Sequence, residues 1–201
     1  MSNNRSEHNP HNHDSHDLEE ERLKKWLKRG HDRQFREQMR AGTRLLQERK
    51  PKEALPLLKR AHEIQPGDMD AALNLSSAYI MAGWHKMAVP VLEEAVQRHP
   101  DNPRLWINLG AAYLGNPLLA SDDEQVRAIT AFRKALQVDP FAPSAAYNIG
   151  LIYVDRDERA EAIAAFQLAA RSDPGDMDAR RMLKKLSGDG DTGGLSLHPT
   201  N

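Results

Sequence analysis

Apolar residues recur at helical intervals through most of this chain. Trp106, Leu109, Gly110 and Tyr113 stand at i, i+3, i+4 and i+7, one stripe of an α-helix. Ala146, Ile149, Gly150 and Tyr153 repeat it. A second stripe follows each time, Ala128, Phe132 and Ala135 and then Ala162, Phe166 and Ala169. Two short helices per unit are therefore predicted. Small Gly and Ala beside large Tyr and Phe let such helices approach closely. Each unit closes on a proline, Pro66, Pro100, Pro140 or Pro174, which disfavours helix for the residue before it. The prolines are spaced 34, 40 and 34 residues apart, and so are Ala54, Ala88, Ala128 and Ala162. Gly42, Ser76, Gly110 and Gly150 are spaced 34, 34 and 40 apart, which puts six extra residues between Gly110 and Ala128. The period is 34.

The run Trp106-x2-Leu109-Gly110-x2-Tyr113, with Ala128, Phe132, Ala135 and Pro140, resembles a tetratricopeptide repeat. The unit 143–176 matches as closely, with Ala146 in the Trp place. The unit from 69 keeps Leu75, Tyr79, Ala88, Leu92, Ala95 and Pro100, with Ser76 for Gly. The unit from 35 keeps Gly42, Ala54, Leu58, Ala61 and Pro66 but has Ala41 for Leu and Leu45 for Tyr. The resemblance implies an all-α fold, a right-handed superhelix of helix-turn-helix repeats. Its units are expected at 35–68, 69–102, 103–142 (carrying the six-residue insert) and 143–176.

Solenoid ends expose apolar surface and need caps. Met177, Met182, Leu183 and Leu186, opposite Arg180, Arg181, Lys184 and Lys185, predict a capping helix over 177–187. The Gly-, Asp- and Ser-rich stretch 188–201 is expected to be a disordered tail. So is the stretch 1–17, where His8, His11, His13 and His16 stand among Asn, Ser and Asp. Asp17 with Glu20 forms a capping-box pattern, which starts a basic helical extension over 18–34. That helix is expected to reach about Arg29, with continuation through Gly30 open. Leu23, Trp26 and Leu27 make a narrow apolar stripe on it. In the insert, Ser121 with Glu124 is a second capping box, and Leu118 and Leu119 form either a local packing element or a contact for a partner.

Opposite each packing stripe lies a polar row. The sixth residue of each unit is Arg40, Asn74, Asn108 or Asn148. The only other Asn between residues 35 and 187 are Asn102 and Asn116, both in predicted loops. Asn costs about 0.5 kcal/mol or more against Ala inside a helix, yet its amide offers both a donor and an acceptor. By the family resemblance, this row lies on the wall of a concave groove and is similar to an asparagine ladder that holds an extended peptide by its main chain. Met39, Leu73, Ile107 and Tyr147 are expected to flank it with apolar surface, and Arg36 and Arg104 to add positive charge. The family's clamp for chaperone tails wants Lys at the fifth and Asn at the ninth place of the first unit. Met39 and Thr43 stand there, which counts against that activity.

Composition narrows the function. With 28 Lys+Arg against 29 Asp+Glu, the chain has a net charge of −1, and no nucleic-acid partner is expected. The charge is segregated, +7 over residues 18–60 and −6 over 61–201. The absence of cysteine excludes disulfides and thiol catalysis. There is no phosphate-binding glycine loop, no His-Glu-x-x-His and no Gly-x-Ser-x-Gly, and His62, His85 and His99 stand singly near helix ends. No catalytic residue, metal ligand or cofactor is expected. No stretch approaches the ~20 apolar residues of a membrane span, and a cytoplasmic location is expected. The leading expectation is a non-enzymatic scaffold that binds a segment of another protein. The alternative is a structural accessory that self-associates or docks through its basic N-terminal helix to a membrane or assembly.

Overall fold

The computed structural model describes residues 11–188, with side chains described from Glu20 onward, Leu118 and Pro143 apart. Within them the chain is helical throughout: α1 (His11–Gln47), α2 (Pro51–Ile64), α3 (Met69–Met81), α4 (His85–Arg98), α5 (Pro103–Leu114), α6 (Asp122–Val138), α7 (Pro143–Asp155), α8 (Arg159–Ser172) and α9 (Met177–Ser187). A short 3-10 turn, Pro117–Leu119, precedes α6. Each helix packs on its successor, and α1–α3 and α3–α5 also touch, so α1, α3 and α5 stack along one wall of an all-α superhelix.

Close approach within each helix pair follows from residue size. A Cβ added at Gly42 would stand 2.6 Å from Leu58 Cγ, at Gly110 2.6 Å from Phe132 Cε1, and at Gly150 2.8 Å from Phe166 Cε1. Ser76, the small residue of the remaining pair, is buried and donates its hydroxyl to Leu73 O at 3.0 Å. Leu58, Phe132 and Phe166, with their equivalent Leu92, are all 0% exposed. Burying one such side chain contributes roughly 1.5–3 kcal/mol, so this glycine and large-residue register adds to the cohesion inside each pair.

Three of the turns inside pairs are alike. Arg49, Gly83 and Asp157 adopt positive φ of 57°, 77° and 58°. In each, the next N–H reaches back five residues (Lys50 to Leu45 O, Trp84 to Tyr79 O, Glu158 to Tyr153 O, all 2.8 Å). This left-handed closure satisfies helix-end carbonyls and favours Gly, yet only Gly83 supplies one. The insert changes the turn between α5 and α6. There Ser121 caps α6, its hydroxyl accepting from Glu124 N while Glu124 accepts from Ser121 N. At 17 residues α6 exceeds α2, α4 and α8, each of 14, so part of the insert is helix and the rest is loop.

The N-terminal end differs from the sequence expectation, and the expected C-terminal helix over 177–187 differs only in where Met177 points. α1 begins at His11, ahead of Asp17, and runs without a break through Gly30 into the first repeat helix. No proline stands between Pro10 and Pro51, and a lone Gly costs only about 1 kcal/mol, so nothing stops it. Residues 11–17, expected in a tail, are thus helical; the remainder of the two expected tails, 1–10 and 189–201, lies outside the described residues. At the other end Asp176 caps α9 by accepting from Asp178 N and Ala179 N. Ala179 and Leu186 are buried and Met182 and Leu183 pack beside them, whereas Met177 is exposed. The apolar stripe of α9 therefore begins at Ala179, because Met177 lies on the first turn, off that face.

Candidate functional site

The residues expected to form the groove wall lie on α1, α3, α5 and α7. There the asparagine row makes bonds that its residues do not announce. Asn74 Nδ2 donates to Thr43 Oγ1 and Asn108 Nδ2 to Ser77 Oγ, both at 3.2 Å. Thr43 and Ser77 are the ninth residues of the preceding units, so each bond stitches one repeat to the next. Asn148 has Ala111 in that place, which offers no hydroxyl, and it donates instead to Ser144 O on its own helix at 2.7 Å. All three asparagines are half-buried. No described residue donates to the side-chain oxygen of Asn74 or Asn108. A hydroxyl can donate or accept, so the same stitch holds with the amide turned either way. Each pair can therefore present an amide N–H or an amide oxygen to whatever lies on the wall.

The surrounding residues divide. Arg36, Arg40 and Arg104 are exposed, and Met39 and Ile107 are half-buried at the wall. Leu73 is not wall surface: it is 3% exposed and belongs to the core, because α3 is held between α1 and α5. Tyr147 is half-buried, with its ring edge-on to Phe166 at 5.4 Å between centroids. Burial pushes its phenol pKa up, with Asp178 and Asp176 adding to the effect.

A second concavity lies at the turn edge beside the insert, a cleft of about 480 Å³ whose lining includes Trp84, His85, Met87, Tyr113, Leu119 and Glu124. Leu119 is 79% exposed, so it does not pack on its own repeat; the side chain of Leu118 lies outside the described ones. Behind the cleft, Tyr113 OH donates to Glu93 Oε1 at 2.7 Å, and Arg127 stacks 4.0 Å over the Tyr113 ring and reaches Glu93 at 3.1 Å. Burial, then the Glu93 bond, raises the Tyr113 pKa. One repeat further on, Arg133 Nη2 donates to Tyr153 OH at 2.7 Å. Gln125, 4% exposed and outside any expected site, donates to Asp155 Oδ2 at 2.7 Å and accepts from Arg156 Nη1 at 3.4 Å. These polar locks fix neighbouring units in angle. They make no catalytic constellation.

The single histidines have local roles or none. His99 Nε2 donates to Gly67 O at 3.1 Å, bridging two turns, while Nδ1 of His62 and of His85 are buried without a partner. No helix among the described residues is long and apolar enough to cross a membrane.

Comparison with known proteins agrees with this architecture. Models of the tetratricopeptide repeat match residues 45–86, 70–112 and 127–176. Tetratricopeptide repeat protein 33 of Mus musculus is 32% identical over 124 residues, 61% of this chain and 44% of its own length. The match thus spans less than half of that relative. TTC0263, a thermophilic TPR protein of Thermus thermophilus, superposes with a TM-score of 0.65 at 24% identity, over 76% of this chain and 80% of that one. YrrB, described as a TPR protein with an unusual peptide-binding site, gives 0.60 at 23% identity over 72% and 71%. At such identities the superpositions speak for the fold alone. With glycines seated on buried rings in a 34-residue period, four helix pairs and repeat models matching 45–112 and 127–176, this chain belongs to the tetratricopeptide repeat family.

Proposed function

We propose that the chain is a non-enzymatic scaffold whose inner wall holds an extended segment of another protein. The observation that carries this is the stitched asparagine row. Asn74 and Asn108 are held in place by Thr43 and Ser77, yet each keeps an amide group unused by any described residue. An extended peptide presents N–H and C=O groups in alternation, and pre-positioned amides meet them at little entropic cost. Exposed Arg36, Arg40 and Arg104 supply charge at one side of the row. YrrB, on a superposable fold, is described as having an unusual peptide-binding site, in keeping with peptide binding by such a fold.

The test starts with affinity capture by the full chain beside an Asn74/Asn108/Asn148→Ala variant, followed by titration of the captured protein. Asn108→Ala should weaken binding by ~1 kcal/mol, close to fivefold. Its stability should change little, because the lost Ser77 bond and the better helix propensity of Ala nearly offset each other. Unchanged binding by Asn108→Ala, together with loss on Leu119→Ser, moves recognition to the insert cleft and ends the groove reading.

One observation favours a second reading, docking through the N-terminal helix. Residues 20–31 are exposed all round, with Trp26 71% exposed and Leu23 and Leu27 beside it.

A further inference from the structure

Helix α1 sorts its cations by type. At about 100° per residue, all six of its arginines, Arg22, Arg29, Arg33, Arg36, Arg40 and Arg44, fall within an arc of about 80°. Its three lysines, Lys24, Lys25 and Lys28, and every acidic residue of the same span lie outside that arc. All six arginines are exposed. Arg44 has Glu48 at 3.7 Å; the other five make no ion pair with a described carboxylate. Asp32, the acid nearest the middle of the row, is engaged elsewhere, accepting from Gln65 Nε2 at 3.3 Å. Arg36 and Arg40 stand on the inner wall, and Arg22, Arg29 and Arg33 continue the line onto the part of α1 that projects past the array.

We propose that this arginine rail receives the continuation of the groove-bound segment, and that this continuation is an extended, acidic stretch of another protein with carboxylates at alternate positions. The inference rests on the groove reading and adds the chemistry of the ligand. The rail from Arg22 to Arg44 is about 33 Å long, the reach of roughly ten extended residues. Successive arginines from Arg29 onward rise by about 4.5 to 6 Å. Same-side residues of an extended strand recur at roughly 6.6 Å, a difference that long side chains absorb. Guanidinium groups bind carboxylates through two parallel hydrogen bonds, which ammonium groups cannot do, so the separation of Arg from Lys has a chemical meaning. The rest of the chain carries −6 over residues 61–201, which opposes a broad polyanion laid across the body and leaves room for one narrow anionic strand.

The experiment uses the full chain and a labelled twelve-residue peptide of alternating Glu and Ser, read by fluorescence anisotropy at low salt. Its lysine counterpart and a twelve-nucleotide oligothymidylate are the comparison probes. An Arg22/Arg29/Arg33→Gln variant is set against Lys24/Lys25/Lys28→Gln, which removes the same charge from the same helix on other faces. Gln matches both residues in helix propensity, and circular dichroism confirms equal helicity. The acidic peptide should bind, lose at least tenfold on the arginine variant, and lose under twofold on the lysine variant. Equal loss on both variants, no binding by the parent chain, or tighter arginine-dependent binding of the oligothymidylate would each overturn the proposal. So would arginine-dependent self-association in sedimentation, which would make a second copy the occupant. Because the three substituted arginines lie off the groove, the two readings fail separately. If Asn108→Ala weakens the captured partner while the arginine variant leaves peptide binding intact, the rail falls and the groove stands.

Discussion

Gly110→Ala isolates the packing rule that builds every unit. In an exposed helix interior this change stabilises by about 1 kcal/mol, through backbone entropy. At Gly110 the new methyl would meet Phe132 Cε1, Cδ1 and Cζ at 2.6, 2.7 and 2.8 Å. Carbon atoms rest at about 3.5–4.0 Å, so the ring must retreat by close to 1 Å. Phe132 is fully buried among Ala128, Ala135 and Ile149 and has nowhere to go. Overpacking of this kind costs about 1–3 kcal/mol, occasionally more. The net expectation is a loss of up to about 2 kcal/mol, or a melting point lower by up to about 8 °C for a chain of this size.

Gly30→Ala is the control. It makes the same chemical change in a helix, but the added Cβ meets nothing within 4 Å. It should gain helicity and leave the melting point equal or raised. Combining Gly110→Ala with Phe132→Leu should recover part of the loss, since the smaller side chain vacates the contested space. Thermal melts followed by circular dichroism read all three. If Gly110→Ala melts at or above the parent, α5 and α6 do not approach closely there, and the pairing of small with large residues is not what sets the helix spacing.

Arg49→Gly should raise stability by up to about 1 kcal/mol in a chemical melt, since Arg49 holds a φ of 57° that Gly adopts without a Cβ penalty; a drop would mean the side chain contributes more than the strain costs. Glu124 is held below the usual carboxylate range, first by the Ser121 backbone N–H and then by the Ser121 hydroxyl. A depressed carboxylate stabilises above its unfolded pKa and loses that contribution as pH falls through its folded pKa. Glu124→Gln should therefore melt below the parent at pH 7, with the gap closing towards pH 3; a gap independent of pH would show that the charge plays no part in the cap.

Much of the fold was legible because repetition multiplies weak local signals. One Gly three residues before a Tyr means little, but Gly42, Ser76, Gly110 and Gly150 in phase with Leu58, Leu92, Phe132 and Phe166 leave few arrangements that fill space. Capping by Ser121 was legible for a similar reason, since its signature is complete within four residues. The start of α1 was not. A helix ends where something ends it, and the polar composition of 11–17 is no stop signal without a proline or paired glycines. Leu73 was misplaced because the face of an isolated helix says which side is opposite the stripe, not how closely its neighbours crowd that side.

The asparagine row shows where a single helix pattern runs out. In sequence Asn74, Asn108 and Asn148 are equivalent, and the question was whether they face solvent or a ligand. The structure adds a third partner, the hydroxyl 31 residues earlier, which exists for Asn74 and Asn108 and is missing for Asn148. That distance is three short of the period, so the stitch joins the sixth place of one unit to the ninth place of the unit before. It was visible only to a comparison between units offset by three residues. The consequence is physical. A half-buried amide fixed by a neighbouring repeat has already lost its rotamer freedom before a ligand arrives, whereas one bonded only within its own turn is set by that turn alone. On the proposed groove reading, the first three units form the pre-organised part of the wall, and the proposed rail on α1 leads into it from the same end. The fourth unit, with Ala111 behind Asn148 and Tyr147 drawn towards Phe166, is built chiefly to close the core against α9.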